Sequence, residues 1–153
     1  MIKKLWITGA SSGIGKAVAE KFAREQWKVA ISARRENLLK EIAQQKNIYS
    51  YPLDVTELQK TKEVFSNILN DFDGLDLCIF CSGTYNPKLE SQINIDQIKN
   101  VMNVNFFGVL NCINAAENYF KEKKSGHISI VSSIAGYRGL PNSSGYGPPK
   151  AAL

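Results

Sequence analysis

A chain of 153 residues with 44% hydrophobic and 22% charged residues has the balance of one soluble globular domain, which excludes a disordered or fibrous polymer. The net charge of +5 is spread through amphipathic segments rather than gathered into a basic block, so nucleic acid is not an expected partner. The apolar run at the N-terminus meets a Gly/Ser turn too soon to be a signal core or a membrane span, and the chain reads as cytoplasmic with no membrane partner.

Short apolar runs alternate with amphipathic stretches of helical period along the chain. KLWITG reads as a strand, residues 14–26 as a helix, KVAISA as a strand and residues 36–46 as a helix. IYSYPL, a helix over 57–72 capped by Thr56, LDLCIF, a helical region over 95–123 and HISIVSS continue the alternation. Gly74 and Gly126 each precede a strand, as chain breakers should. Five strands alternating with helices imply an α/β fold, a parallel sheet covered on both faces. Residues 134–147, rich in Gly, Ser, Pro and Asn, read as a surface loop leading into the start of a last helix. No repeat or linker interrupts the chain, so 1–153 is expected to be a single domain.

Cys78, Cys81 and Cys112 are an odd set without a secretory signal, which points to reduced thiols. The C-x-x-C spacing of Cys78 and Cys81 falls in a strand pattern where side chains three apart face opposite ways. They are expected to be small apolar core residues, not a redox pair. His127 stands alone at the start of the fifth strand, and no metal site is expected.

The first strand runs straight into TGASSGIG at 8–15 and a helix N-terminus, where backbone amides and the helix dipole favour a phosphate. Gly9 permits the tight turn, the bare backbone at Gly13 admits a pyrophosphate, Gly15 lets the helix lie near the sheet, and Ser11 and Ser12 add donors. NAD sites carry an acid near the end of the second strand to bond the ribose 2′-OH. Here Arg34 and Arg35 stand at that offset, two guanidiniums suited to a 2′-phosphate, so NADP(H) is expected over NAD(H).

The G-x-x-x-G-x-G spacing of TGASSGIG resembles the signature of the short-chain dehydrogenase/reductase family. The resemblance extends along the chain through LDV at 53–55, NVNFFG with Asn105, IVSSIAG with Ser133, and Tyr146 followed by Lys150. It implies a Rossmann-type doubly wound sheet in the order 3-2-1-4-5 and an NAD(P)-binding domain. It further implies an oxidoreductase that moves hydride between NADP(H) and a carbonyl or secondary alcohol. Full-length members of the family are homo-oligomers that pair through two long helices. By the same resemblance the cofactor would contact Gly9, Ser11, Ser12, Gly13, Ile14, Gly15, Arg34, Arg35, Asp54, Val55, Gly83, Tyr146 and Lys150. The catalytic set would be Asn105, Ser133, Tyr146 and Lys150.

The chemistry makes sense of that set. Hydride reduction of a ketone leaves charge on oxygen, and Tyr146 would supply the proton. Lys150, one helical turn on, would stabilise the phenolate and hold the nicotinamide ribose. In the family the Ser133 hydroxyl donates to the carbonyl oxygen and Asn105 anchors a relay water.

The sequence departs from the family at three places. Phe80-Cys81-Ser82-Gly83 stands where Asn-Asn-Ala-Gly is usual, Gly83 keeping the close approach to cofactor while Phe80 and Cys81 could add packing. Pro148 and Pro149 lie between Tyr146 and Lys150, tolerable only if the helix starts at Tyr146 or just after. The chain ends at Leu153, before the family's last two strands and substrate lid, so the domain is expected to be incomplete at its C-terminus. HISIVSS would then be an apolar sheet edge. The alternative is therefore a non-catalytic NADP(H)-binding remnant or fragment of such an enzyme. The substrate pocket is expected to involve Tyr137, Arg138 and Leu140.

Overall fold

The computed structural model describes residues 2–87 and 93–153. Its strands are β1 (Lys4–Thr8), β2 (Lys28–Ser32), β3 (Ile48–Ser50), β4 (Leu77–Phe80) and β5 (His127–Ile130). All pair in parallel in the order β3-β2-β1-β4-β5, the expected doubly wound arrangement. The helices are α1 (Gly13–Arg24), α2 (Glu36–Ile42), α3 (Leu58–Phe72), α4 (Ile95–Met102), α5 (Gly108–Lys123) and α6 (Gly147–Ala152).

Strand alternation sorts the apolar side chains into two cores. Leu5, Ile7, Val29 and Ile31 face α1 and α2, meeting Ala19, Leu39 and Ile42. Trp6, Ala30, Cys78 and Phe80 face α3 and α5, meeting Phe65, Ile68 and Cys112. The Trp6 indole packs edge-on against Phe80 at 5.5 Å between ring centroids and donates to the Ser32 hydroxyl at 3.0 Å, so its one polar atom is satisfied inside the core.

Several expected boundaries shift. Thr56 does not cap α3. Its N–H and hydroxyl both donate to the Asp54 carboxylate, at 3.0 and 2.8 Å, so the side chain is spent on its own turn and Glu57 takes the cap position. The IYSYPL strand shortens to three residues, although Tyr51 and Leu53 still donate to the Ile31 and Ala33 carbonyls beyond its end. The long helical region is interrupted by a π-helical turn at Asn103–Phe107 between α4 and α5. A single 3-10 turn, Ile134–Gly136, lies within the expected loop.

Cys78 is buried as expected, but Cys81 is not a core residue. Strand β4 stops at Phe80, so Cys81 lies in the following loop, partly exposed, and all three thiols are free. Strand β5 pairs with β4 alone among the described residues, and its Ile130 is 36% exposed on that edge. No helix among the described residues is long and apolar enough to cross a membrane.

Candidate active site

The chain leaves β1 through Gly9 at φ +69°, and a Cβ there would lie 2.6 Å from the Cys81 carbonyl oxygen, so both conformation and space exclude a side chain. Gly15 presses α1 onto the same turn, since a Cβ on it would collide with the Gly9 carbonyl oxygen. Gly13 faces open space. Ser12 is the N-cap residue of α1, yet its side chain makes no capping bond. The N-terminal end of the helix dipole therefore faces the cleft without a serine across it.

The hydroxyl of Ser12 is instead held by Arg35. That guanidinium donates to Ser12 Oγ at 2.6 Å and to Ser11 Oγ at 3.1 Å from Nε and 2.8 Å from Nη2, tying the end of β2 to the glycine turn. Together these groups line a cavity of about 460 Å³ that gathers Gly9, Ser11, Ser12, Arg34, Arg35, Asp54, Val55 and Gly83. Ala33, Leu53, Cys81, Ser82 and Val104 complete its wall, although none was among the expected cofactor contacts. Ala33 and Leu53 directly precede Arg34 and Asp54, and the loop after each strand was the signal that could have found them.

A second cavity of about 270 Å³ shares Gly9, Ser12, Cys81 and Gly83 with the first and adds Ile14, Gly15, Tyr146 and Lys150. Lys150 is 6% exposed and its ammonium donates to the Val131 carbonyl at 2.7 Å, with Nζ 5.9 Å from the Tyr146 ring centroid. Burial pulls its pKa below the ordinary lysine value, partly opposed by Cys81. The two prolines are accommodated: α6 starts at Gly147 with Tyr146 as its N-cap, so Pro148 and Pro149 occupy the first turn, where no intrahelical N–H is needed. In the same cleft burial raises the Cys81 thiol, while Lys150 and the Gly15 amide pull the other way.

Asn105 and Ser133 lie outside the described lining of both cavities. Asn105, fully buried in the π-helical turn, accepts from the Thr84 N–H at 2.7 Å and donates to the Thr84 carbonyl at 2.9 Å. The Ser133 hydroxyl accepts from Ala135 N at 3.2 Å and so caps the 3-10 turn. Its neighbour Ser132, not singled out from sequence, lines the smaller cleft and donates to the Lys150 carbonyl at 2.8 Å. Tyr85, also unforeseen, lines that cleft and packs its ring on Tyr146 at 4.6 Å between centroids. Tyr137, Arg138 and Leu140 do share a cavity, of about 620 Å³, but its described lining contains none of the candidate catalytic residues. Among the described residues no cluster of metal-ligating side chains occurs.

The family model described as short chain dehydrogenase matches residues 3–153. The chain is 30% identical to the mouse protein "Dehydrogenase/reductase SDR family member 7", over 97% of its own length and 47% of that protein's. It is 30% identical to the "Uncharacterized oxidoreductase SERP2049" of Staphylococcus epidermidis, over 96% of this chain and 65% of the relative. Among solved structures, "ElxO with NADP Bound" superposes with a TM-score of 0.89 at 30% identity, covering 99% of this chain and 64% of that one. A short-chain dehydrogenase from Streptomyces avermitilis superposes with a TM-score of 0.90 at 25% identity, over 100% and 57% of the two chains. The chain thus spans between about half and two thirds of the length of these relatives. With the family model matching nearly the whole chain and the parallel sheet superposing on members of the family, it belongs to the short-chain dehydrogenase family of oxidoreductases.

Proposed function

We propose that residues 1–153 form one NAD(P)-binding domain that takes NADP(H) in the joined cavities and serves hydride transfer between NADP(H) and a small-molecule carbonyl or secondary alcohol. The observation that carries the reading is the Arg35 guanidinium, fixed on Ser11 and Ser12 at the wall of the larger cavity with Arg34 beside it. A dianionic 2′-phosphate there would meet two cations and two hydroxyls. The residues fit a dinucleotide: Gly13 faces open space where a phosphate can approach the backbone, and the α1 N-terminus has no side-chain cap to displace. The NADP-bound ElxO structure, similar over nearly the whole of this chain, supports the same cofactor.

Bound NADPH supplies the hydride; the proton is the protein's task. Tyr146 donates its phenolic proton to the oxygen that gains charge. The Lys150 ammonium stabilises the phenolate left behind and, with a pKa already lowered by burial, passes a proton on more readily. The Ser133 hydroxyl still has its proton to donate toward substrate oxygen, because its bond to Ala135 uses only a lone pair. Asn105 acts through Thr84, whose backbone it holds beside Gly83. Three free thiols support a reducing, cytoplasmic setting.

A second reading, NADP(H) binding without turnover, is favoured by the position of Ser133 outside the cleft lining. Fluorescence titration of the purified chain with NADPH and NADH, followed by a ketone panel, separates the two. Tight NADPH binding with turnover that Tyr146→Phe abolishes is the expected result. Binding without turnover favours the second reading, and no binding overturns both.

A further inference from the structure

We propose that Tyr85 is a positioning residue for Tyr146, fixing the orientation of its phenol ring in the cleft. The inference rests on the reading of Tyr146 as proton donor. Tyr85 lies two residues after Gly83 in the loop beyond β4 and is 44% exposed, so it is not a core side chain whose burial explains its ring. Its ring lies against that of Tyr146 with centroids 4.6 Å apart and planes inclined by 41°, a close tilted stack. The Lys150 ammonium also stands over the Tyr146 ring, 5.9 Å from the centroid. The phenol ring therefore has both an aromatic ring and a cation as neighbours.

Tyr85 is itself held at both ends. At its base, the preceding residue Thr84 has its N–H and carbonyl bound by the buried Asn105. At its tip, the hydroxyl donates to the Asn142 carbonyl at 3.1 Å and comes within 3.5 Å of Ser143 Oγ. Asn142 is a left-handed residue at φ +54°, and the next carbonyl, of Ser143, accepts from Gly147 N at 2.9 Å at the start of α6. The same side chain thus touches the ring it orients and ties down the turn that launches the helix carrying that ring. Asn105, Thr84, Tyr85 and Tyr146 form one connected series, which gives Asn105 an effect on the reacting phenol although it does not line the cleft.

Tyr85→Leu keeps apolar bulk without a ring, and Tyr85→Phe keeps the ring without the tether. With 3-fluorotyrosine incorporated, the Tyr146 signal is identified in the 19F spectrum by its loss in Tyr146→Phe. The expected result is a displaced Tyr146 resonance in Tyr85→Leu and one close to native in Tyr85→Phe. In turnover, Tyr85→Leu is expected to lower kcat by about ten- to a hundredfold, the scale of a small misplacement of a reacting group. Tyr85→Phe should recover most of that loss. A Tyr146 resonance indifferent to Tyr85→Leu overturns the proposal, as does a rise in KM alone, which would make Tyr85 a wall for substrate. If the native chain turns over no substrate, the enzymatic reading has failed, and the resonance still decides whether Tyr85 holds the ring.

Discussion

Asn105 grips Thr84 by both backbone groups, its Oδ1 taking the N–H at 2.7 Å and its Nδ2 giving to the carbonyl at 2.9 Å. Because Asn105 has no exposed surface, removing the amide strands two polar groups in a place water enters poorly. Asn105→Leu should destabilise the fold by about 2–4 kcal/mol, whereas Asn105→Asp, which keeps the acceptor, should cost less and recover partly at low pH as the acid regains a proton to donate. Urea midpoints of the three proteins at neutral and mildly acidic pH test this order.

Arg35→Ala removes the cation placed over Ser11 and Ser12. A charge-assisted bond of this kind contributes about 1.5–3 kcal/mol, so NADPH affinity should fall roughly ten- to a hundredfold while NADH affinity changes little. Parallel fluorescence titrations with both cofactors check it, and an equal loss for both would assign Arg35 to holding the turn instead of choosing the phosphate.

Burial holds the Lys150 pKa below 10.5, with Cys81 pulling partly back. Between that depressed value and 10.5, the unfolded chain keeps a proton that the folded chain has released, so the contribution of Lys150 makes stability rise with pH across this window. Turnover should move the opposite way, since the ammonium beside Tyr146 is discharged over the same range. Lys150→Met should flatten the stability slope and abolish activity, and Lys150→Arg should carry the alkaline limb of the rate profile upward. Unfolding midpoints and kcat measured from neutral pH to beyond pH 10, a range set by the ordinary lysine value, read both.

Phe80→Asn would install the residue more usual in the family at a site that is 1% exposed and packed on Trp6. Losing the ring and burying an amide should destabilise the protein by about 3–5 kcal/mol. Thermal unfolding followed by Trp6 fluorescence tests whether this core has been rebuilt around an aromatic pair.

Much of this molecule is legible in its residues because the informative signals are local. Short continuous apolar runs mark β1, β2 and β4, and the spacing of Gly9 and Gly15 marks a turn that the structure closes against Cys81 and Gly9 itself. Arg34 and Arg35 are singled out by their offset from that turn, and Tyr146 and Lys150 by the resemblance to the family pattern. What sequence did not reveal depends on where elements stop and on contacts between distant loops. The π-helical turn holds Asn105, whose bond to Thr84 nothing in a helix-favouring run announces. Because β4 ends at Phe80 and β5 at Ile130, strand alternation no longer governs Cys81, Ser132 or Ser133. The stack of Tyr85 on Tyr146 joins two loops whose separation in sequence hides it.

The central place of β1 also shapes how the chain must emerge during synthesis. The strand made first pairs with β2 through Leu5 and Val29 and with β4 through Leu5 and Leu77, so one flank is satisfied early and the other stays bare until much more chain has left the ribosome. Through that interval Trp6 has Ala30 beside it, and Phe65 arrives with α3, but Phe80 is not yet there to cover it. A nascent chain halted between β3 and β4 therefore presents a sticky tryptophan and an open parallel edge to whatever chaperone waits at the exit, and slow translation there lengthens the exposure.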